Sequence, residues 1–591
     1  MDKKVQAYVW ATEDIYKTVA EWEKDFEQAK GLLDFSEFKG KLGDGEAFLA
    51  CMKKEERVGR LLDKLGLFAM MKHDSDTRDS DYDALLSRVT SLSVAFGANT
   101  SFVTPELIAL PESVLCGFID DPKLKEYDYS LKCLLKEKAH VLSEKEETLL
   151  TESTEAMASF RDIFTKTDNA DLPLPEFSHR GTKYKLTHGT YGVLMQNPDR
   201  ALRKKAFKKY YAAYISLINV ISATYYGNVK KDVFYAKAKK HESCLSAALL
   251  NEDVPVEVYK KLIRSVDAAL PALHDYVAQR KKCLGLKEMH MYDMYVPVVA
   301  DKDLKLDYDD AYELVIKGLS VLGEDYARLL KKAKDERWLD VYEKDGKRSG
   351  AYSATVFDTH PFVLLNYQKT THDVFTIAHE MGHSIHSYFS NKTQPYAKAD
   401  YKIFVAEVAS TVNEVLLLKY LLKVADDKEL KRYLLSYLLE MIRTTLFRQT
   451  MFSEFEEYSH AAAETGEPLT KDAMCEKYRE LNVKYYGSAV VSDEEIKYEW
   501  ARIPHFYRAF YVYKYATGII SALAIADRIT TEGQPAVDDY FRFLSSGNSD
   551  GPVQLLKIAG VDLESDKPYE AAFNTFKDAL AQFCKLGETE R

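Results

Sequence analysis

The chain has 591 residues, of which 46% are hydrophobic and 29% are charged, and its net charge at pH 7 is −11. The chain is too long for one small hydrophobic core. Its composition is typical of a soluble globular protein, and its net charge gives no electrostatic footprint for nucleic acid. The sequence contains no run of about 18 apolar residues, so no membrane span is predicted. The first residues lack the apolar stretch of a secretory signal. The seven cysteines are scattered, without a CxxC pair. They indicate reduced thiols, so we expect a cytoplasmic protein. The net charge and the lack of an apolar span predict no nucleic-acid or membrane partner.

Helical periodicity dominates the chain. Apolar residues recur at three- and four-residue spacing in 14–35, 82–98 and 429–459, which is the period of an amphipathic helix. Two segments interrupt this pattern. Residues 166–197 mix Pro, Gly and β-branched residues and predict a connector with short strands, and 338–368 carry Asp-Gly and Ser-Gly turn signals that predict a small β-sheet.

A further helix is predicted directly after that sheet, over the stretch FTIAHEMGHSIHSYF at 375–389. Thr370 or Thr371 can cap its N-terminus, and Asp373 suits the first turn. The residues around its ionisable groups are apolar, so the helix is expected to be buried. Gly382 costs about 1 kcal/mol of helix propensity relative to Ala, which predicts the close approach of another backbone.

Two histidines of this helix predict a metal site. His379 and His383 are four residues apart, so they lie on one helical face and can bind a single zinc ion. Glu380 is rotated by about 100° from His379 and can reach a water in the open position of the metal. This is the HExxH arrangement of zinc peptidases. The alternative is a polar helix face with two hydrogen-bonded structural histidines.

A catalytic zinc needs a third protein ligand. Glu407 follows His383 by 24 residues, in a second apolar helical run over 401–422, and we assign it as that ligand, the alternative being a core acid in a salt bridge. Glu414 shares the face of Glu407 and could accept a hydrogen bond from a ligand histidine, or be structural. His386 shares the face of the two histidines, and we favour a supporting or pocket role over direct coordination.

The segment at 500–524 supplies candidate donors for the oxyanion that forms during hydrolysis. Phenol hydroxyls and imidazoles suit that task, although an aromatic core stripe would look the same. The candidates within it are His505, Tyr507, Tyr511, Tyr513 and Tyr515.

Six motifs in chain order resemble the thimet-oligopeptidase-like zinc peptidases, and within them the oligoendopeptidase F group. The resemblance is strong over roughly 200–585 and weaker before it. The motifs are MHMYDMYVPV (289–298), WLDVYEKDGKRSGAYS (338–353), HPFVLLNY (360–367), AHEMGHSIHS (378–387), FVAEVASTVNE (404–414) and IPHFYRAFYVYKYATG (503–518).

The resemblance implies a mainly α, two-lobed helical shell around a deep channel that admits short peptides, with a small β-sheet next to the zinc helices. Together with the connector at 166–197, it predicts an N-terminal helical domain over 1–200, forming part of the channel wall, and a catalytic domain over 201–591. One zinc ion per chain would be held by the three ligands assigned above, with Glu380 activating the water.

The resemblance also implies that a histidine and two tyrosines contact the transition state. His505 and Tyr513 match best, and the second tyrosine is Tyr507 or Tyr511 because the loop between the matching positions is shorter here. An edge strand is implied to bind the peptide backbone. Its candidate residues are Gly350, Ala351 and Tyr352.

These observations predict a zinc-dependent endopeptidase that hydrolyses internal bonds of short oligopeptides, with Glu380 as general base on a zinc-bound water. Two alternatives remain open at this point. One is a carboxypeptidase-type zinc exopeptidase, although no Arg or acid is designated to recognise a free terminus. The other is a non-catalytic helical peptide-binding protein with a structural metal. The oligomeric state is not fixed by the sequence, and a monomer is favoured.

Overall fold

The computed structural model of the chain describes residues 7–299, 302 and 304–588, and most of these are helical. The predicted mainly α class is therefore confirmed. The helices are α1 (Val19–Gly31), α2 (Gly45–Ser75), α3 (Ser80–Thr100), α4 (Val103–Ala109), α5 (Glu112–Asp120), α6 (Asp128–Glu137), α7 (Glu144–Lys166), α8 (His188–Met195), α9 (Arg200–Ser216), α10 (Ile218–Ala238), α11 (Cys244–Glu252), α12 (Val256–Cys283), α13 (Tyr308–Gly318), α14 (Glu324–Asp335), α15 (Thr371–Thr393), α16 (Tyr396–Ala399), α17 (Ile403–Val424), α18 (Lys428–Ile442), α19 (Arg448–Thr465), α20 (Lys471–Tyr486), α21 (Tyr513–Glu532), α22 (Gln534–Leu544), α23 (Pro552–Ile558) and α24 (Lys567–Glu588).

Short strands form three small sheets. The strands are β1 (Glu176–His179), β2 (Thr182–Lys185), β3 (Met289–His290), β4 (Leu339–Asp340), β5 (Tyr352–Ala354), β6 (Phe362–Leu364) and β7 (Val490–Val491). β1 and β2 form an antiparallel hairpin, and β3 pairs with β7 in parallel. In the third sheet, with order β4-β6-β5, β6 pairs in parallel with β4 and antiparallel with β5. The short strands predicted in 166–197 and the small sheet predicted in 338–368 are confirmed.

The described residues form two compact units, each built from separate chain segments. Unit 1 takes them from Met1–Ala139, Asp303–Val424 and Ser521–Asp562, and unit 2 from His140–Lys302, Ala425–Ile520 and Leu563–Arg591. Both units use residues from either side of residue 200. The division into 1–200 and 201–591 stays a prediction about sequence domains, as do the two-lobed shell and its channel.

In unit 1, the core joins the N-terminal helices to the third sheet. Trp22, Phe48 and Phe68, on α1 and α2, belong to one buried cluster with Phe362 and Leu364 of β6. Burial of large aromatic side chains is the main stabilising term of such a core. The cluster therefore ties α2 to the sheet that precedes α15.

α15 and α17 pack against each other in close contact. A Cβ built on Gly382 would lie 2.6 Å from the Cα of Ser410, closer than side chains tolerate, so the predicted approach of a second backbone is confirmed. The Asn413 amide donates to the carbonyl oxygen of Ala378 at 2.9 Å and accepts from the Tyr326 hydroxyl at 2.8 Å. These contacts set the axial register of the two helices.

Unit 2 has an aromatic core with a buried ion pair network. Tyr225, Tyr259 and Trp500 are at most 2% exposed. Glu499 accepts hydrogen bonds from Arg448 and Arg502, at 2.7 and 3.0 Å. Buried charges of this kind need partners, because an unpaired one would cost several kcal/mol.

Among the helices that the structure describes, none alone has the length and apolarity to cross a membrane. One pair bent by 106°, Ser80–Ala109 with Glu112–Asp120, meets that test together by length and composition.

Candidate active site

α15 starts where its capping residues direct. The Thr370 hydroxyl accepts a hydrogen bond from the Asp373 N–H at 3.1 Å, and the Asp373 carboxylate accepts one from the Thr370 N–H at 2.9 Å. This reciprocal capping box satisfies two donors that a helix start leaves unpaired. It fixes Thr370 as the N-cap and so sets where α15 begins.

The three predicted metal ligands converge within unit 1. The Nε2 atoms of His379 and His383 each lie 3.4 Å from the same carboxylate oxygen, Oε2 of Glu407. The two rings are nearly perpendicular, with centroids 4.9 Å apart. Among the described residues, these three form the one group of His, Cys, Asp and Glu side chains that could hold a metal ion.

The spacing of these donor atoms fits zinc. Ligand atoms about 2.0–2.1 Å from a tetrahedral zinc ion are about 3.3–3.4 Å from one another. Two imidazole nitrogens and one carboxylate oxygen are also the donor set of catalytic zinc sites, which keep a fourth position open. The side chains of His379, His383 and Glu407 are 28%, 20% and 40% exposed, so a fourth ligand could reach the site.

Neighbouring side chains orient two of the predicted ligands. The His379 Nδ1 lies 2.6 Å from Oε1 of Glu414, a contact that leaves Nε2 free to face a metal. The Ser410 hydroxyl donates to Oε2 of Glu407 at 3.1 Å. The contact of Glu414 with a ligand histidine is the one that the sequence predicted, whereas the sequence analysis assigned no role to Ser410.

The site carries an excess of negative charge that suits a cation. Burial opposes charge on His379, but Glu407 and Glu414 outweigh it and raise its pKa to about 10. Burial would raise the pKa of Glu407, but His379 and His383 hold it well below its usual range. Three carboxylates face two imidazoles here, so a divalent cation would offset most of the negative charge.

Glu380 lies beside the ligands without joining them. Its side chain is buried, and burial raises the pKa of its carboxyl, as do Glu407 and Glu414, while His379 and His383 oppose the rise. A carboxylate whose pKa is moved toward neutrality is a better general base than an exposed one.

His386 is buried one turn beyond His383. Its ring stacks on Tyr401 at 3.8 Å, and its Nδ1 has no hydrogen-bond partner among the described residues. Burial and the nearby His383 lower its pKa to about 3, so the ring is neutral at pH 7. It is outside the group that could hold a metal and lines neither cavity at the site, so the geometry favours a supporting role over coordination.

Two cavities of unit 1 meet at the metal site. One, of about 540 Å³, includes Gly350, Thr376 and Glu414 in its lining, and the other, of about 760 Å³, extends toward Tyr401; both are lined by Ala351, His379 and Glu380. β5 is an edge strand of its sheet and lines the larger cavity, and Gly350 and Ala351, directly before it, line the smaller one. An edge strand presents main-chain donors and acceptors that no neighbouring strand uses.

Two groups of the predicted peptide-binding segment already make hydrogen bonds within the protein. The Tyr352 hydroxyl donates to Asp74 at 2.8 Å, and the Gly350 carbonyl accepts from Asn366 at 2.8 Å. Gly350 has a φ of +87°, which a side chain would disfavour. The main chain of Ala351 and the residues after it is therefore the part suited to a ligand.

The predicted oxyanion residues belong to unit 2. His505 is exposed, and its ring lies parallel to that of the partly exposed Tyr511 with centroids 6.1 Å apart. Tyr513 is 0% exposed and contacts Tyr259, and Tyr507 is buried against Phe164. Burial, with the charges of nearby arginines, lowers the pKa of His505. Of the three candidate tyrosines, Tyr511 has the most accessible ring.

Comparison with known proteins identifies a peptidase family. The family model described as "Peptidase family M3" matches residues 193–575, and the one described as "Oligopeptidase F" matches residues 106–173. Oligopeptidase PepF of Bacillus subtilis is 43% identical over 98% of this chain and 87% of its own length. An oligoendopeptidase F homolog of Lactococcus lactis is 39% identical over 98% of this chain and 97% of its own length.

A solved structure agrees as well. The crystal structure of oligoendopeptidase-F from Enterococcus faecium is 33% identical, covers 97% of this chain and 98% of its own chain, and has a TM-score of 0.73. The resemblance read from the six motifs is therefore confirmed, and the chain belongs to peptidase family M3 and is a metalloendopeptidase.

Proposed function

We propose that the chain is a zinc-dependent endopeptidase that hydrolyses internal peptide bonds of short oligopeptides, with Glu380 as the general base. The observation that carries this proposal is the convergence of His379, His383 and Glu407 on a common point, with the Glu380 carboxyl beside them. The relatives named above as an oligopeptidase and an oligoendopeptidase support the substrate class.

The chemistry divides between the metal and the chain. Zinc held by His379, His383 and Glu407 would supply a Lewis acid, polarising the scissile carbonyl and acidifying water. Glu380 accepts a proton from the attacking water as the new C–O bond forms. When the C–N bond breaks, Glu380 returns that proton to the leaving amine, so each turnover consumes one water. Glu414 keeps His379 in the tautomer that presents Nε2.

The substrate backbone adds to the free edge of β5, in our proposal. β5 begins at Tyr352, directly after Gly350 and Ala351. The side chain of Tyr352 is already hydrogen-bonded to Asp74. Recognition through main-chain hydrogen bonds holds a peptide with little dependence on its sequence. This suits an enzyme that acts on many short peptides.

The negative charge that develops on the carbonyl oxygen needs donors besides the metal. We infer that His505 is one of them, as predicted. Exposure supports Tyr511 as its partner over Tyr507 and Tyr513, because a donor must reach the substrate oxygen. A cytoplasmic location, a monomeric state and the absence of nucleic-acid and membrane partners stay predictions.

The test is cleavage of a peptide blocked at both termini, followed by mass spectrometry. We expect the zinc-loaded chain to cut it internally, which an exopeptidase cannot do, and a chelator to stop the reaction until zinc is restored. Glu380→Gln should lower kcat by about 10²–10⁴-fold while the zinc content stays at one per chain. Glu324→Gln, an exposed residue of α14, is the matched control and should behave as the wild type.

Two results would contradict the proposal. Activity in a zinc-loaded Glu380→Gln variant would exclude Glu380 as the general base. Failure of the wild type to cut any blocked peptide would support one of the two alternatives.

A further inference from the structure

The larger cavity next to the metal site has a wall that the catalytic proposal does not use. Five residues of α2 line it opposite the zinc helices. They are Leu62, Asp63, Gly66, Leu67 and Met70. The other four follow Leu62 by one, four, five and eight residues, which places all five on one face of α2. The cavity therefore lies between this face, the end of β5 and the helices that carry His383 and Glu407.

The α2 wall is largely aliphatic, and no lysine or arginine is among the residues that line the cavity. Val356, after β5, and Ile403, at the start of α17, extend the apolar surface, and Ile403 is 39% exposed. Exposed apolar surface beside a catalytic centre is typical of a site for an apolar ligand group. Asp63 is the one ionisable residue of the α2 wall, and it accepts a hydrogen bond from Tyr396 at 2.9 Å.

Gly66 is the residue of this wall that packing does not explain. A Cβ built on it would meet no atom within 4 Å, whereas a Cβ on Gly59 of the same helix would lie 2.6 Å from the Tyr396 hydroxyl. Glycine is unfavourable inside a helix, and no neighbour of Gly66 requires it. What the missing side chain leaves is room in the cavity, one turn from both Leu62 and Met70.

We propose that this cavity receives the side chain of the substrate residue next to the scissile bond, that it selects bulky apolar side chains, and that Gly66 sets its depth. The inference rests on the proposed peptidase function. A substrate strand on β5 would lie against this cavity and the metal site together, because β5, His379 and Glu380 all line the cavity. An acidic side chain would face the carboxylate of Asp63 with no lysine or arginine in the lining to pair with it, so the cavity rejects it.

The test uses doubly blocked, internally quenched peptides in which either residue at the cut is Ala, Leu, Phe, Glu or Lys, with cut positions assigned by mass spectrometry. At one of the two positions, kcat/KM should be highest for Phe or Leu and lowest for Glu. Gly66→Leu should lower kcat/KM for the Phe peptide by about tenfold or more, with the Ala peptide changed by less than about threefold. Gly66→Ala should shift the same ratio in the same direction, by less.

Gly97→Leu is the matched control, since Gly97 is a helical glycine of α3 that also has open space around its Cβ position and lies outside the cavity. It should leave the preference unchanged. An unchanged Phe-to-Ala ratio in a folded Gly66→Leu variant would overturn the inference, as would a preference for Lys that Asp63→Asn abolishes. If the wild type cleaves none of the peptides, the peptidase proposal fails instead, so the two failures are distinguishable.

Discussion

Gly382 of α15 lies directly against the backbone of Ser410 of α17, and these two helices carry the predicted metal ligands. A built Cβ would approach the Ser410 nitrogen to 2.8 Å and the Ala409 carbonyl oxygen to 2.7 Å. Backbone cannot move aside as the end of a flexible side chain can. The contact therefore makes the spacing of the metal ligands depend on a residue that touches no metal.

Gly382→Ala should separate the two helices and weaken both the fold and the metal site. We expect a loss of about 1–3 kcal/mol in the free energy of unfolding, typical of overpacking, and a lower zinc affinity. Thermal unfolding and chelator competition measure the two effects. Gly97→Ala places the same methyl in open space on α3 and should be neutral or slightly stabilising. Equal stability and zinc affinity in Gly382→Ala and the wild type would show that the helices can move apart at no cost.

Glu414→Ala should weaken zinc binding without abolishing it. The carboxylate bonds Nδ1 of His379 at 2.6 Å, and loss of such a partner commonly lowers metal affinity about 10–100-fold. Competition with a chromogenic chelator gives the affinity directly. Glu407→Ala should lose bound zinc, and Glu380→Gln should retain it, so the three variants bracket the expected effect. Wild-type affinity in Glu414→Ala would mean that His379 keeps its orientation unaided.

The ion pair network of Glu499 predicts a pH-dependent stability of unit 2. Burial would raise the pKa of this carboxyl, but Arg448 and Arg502 outweigh it and hold the pKa at about 2. A carboxyl with a depressed folded-state pKa stabilises the fold above its unfolded pKa, about 4.3, and loses that contribution as the pH falls toward 2. Glu499→Gln also leaves two largely buried guanidinium groups without their carboxylate.

We therefore expect Glu499→Gln to lower the free energy of unfolding by about 3–5 kcal/mol at pH 7. The difference from the wild type should shrink as the pH is lowered through the window from about 4.3 to 2. Denaturant titrations at several pH values measure it. Glu476→Gln, at an exposed position of α20, should show little difference at any pH. A Glu499→Gln deficit that stays constant across this window would indicate lost packing rather than lost charge.

The features that the sequence predicted are those with local causes. His379 and His383 share a face because of helix periodicity. Gly382 predicted a close backbone contact because glycine is unfavourable inside a buried helix. Glu407 could be found because one short connection returns the chain antiparallel to α15. Contacts between distant segments were not predictable in this way. Gly66 and Tyr326 approach the site or its helices from segments far away in sequence, and no periodic pattern encodes that packing.

The tyrosines show the same limit. The chain has 40 tyrosines, and residue type alone could not separate a core phenol from an accessible one. The motif match favoured Tyr513, whereas burial places Tyr513 inside unit 2 and leaves Tyr511 partly exposed beside His505. Distinguishing the two needed the three-dimensional packing around each ring.

That distinction gives a final prediction, on the donors to the oxyanion. His505→Ala and Tyr511→Phe should each lower kcat by about 10²–10³-fold, the usual effect of losing one such donor, with KM and zinc content little changed. Tyr513→Phe should affect thermal stability more than kcat, because its ring is fully buried against Tyr259. Steady-state kinetics on one blocked peptide and a melting curve for each variant separate the two roles. A Tyr513→Phe variant of wild-type stability with kcat lowered a hundredfold would restore Tyr513 as a donor.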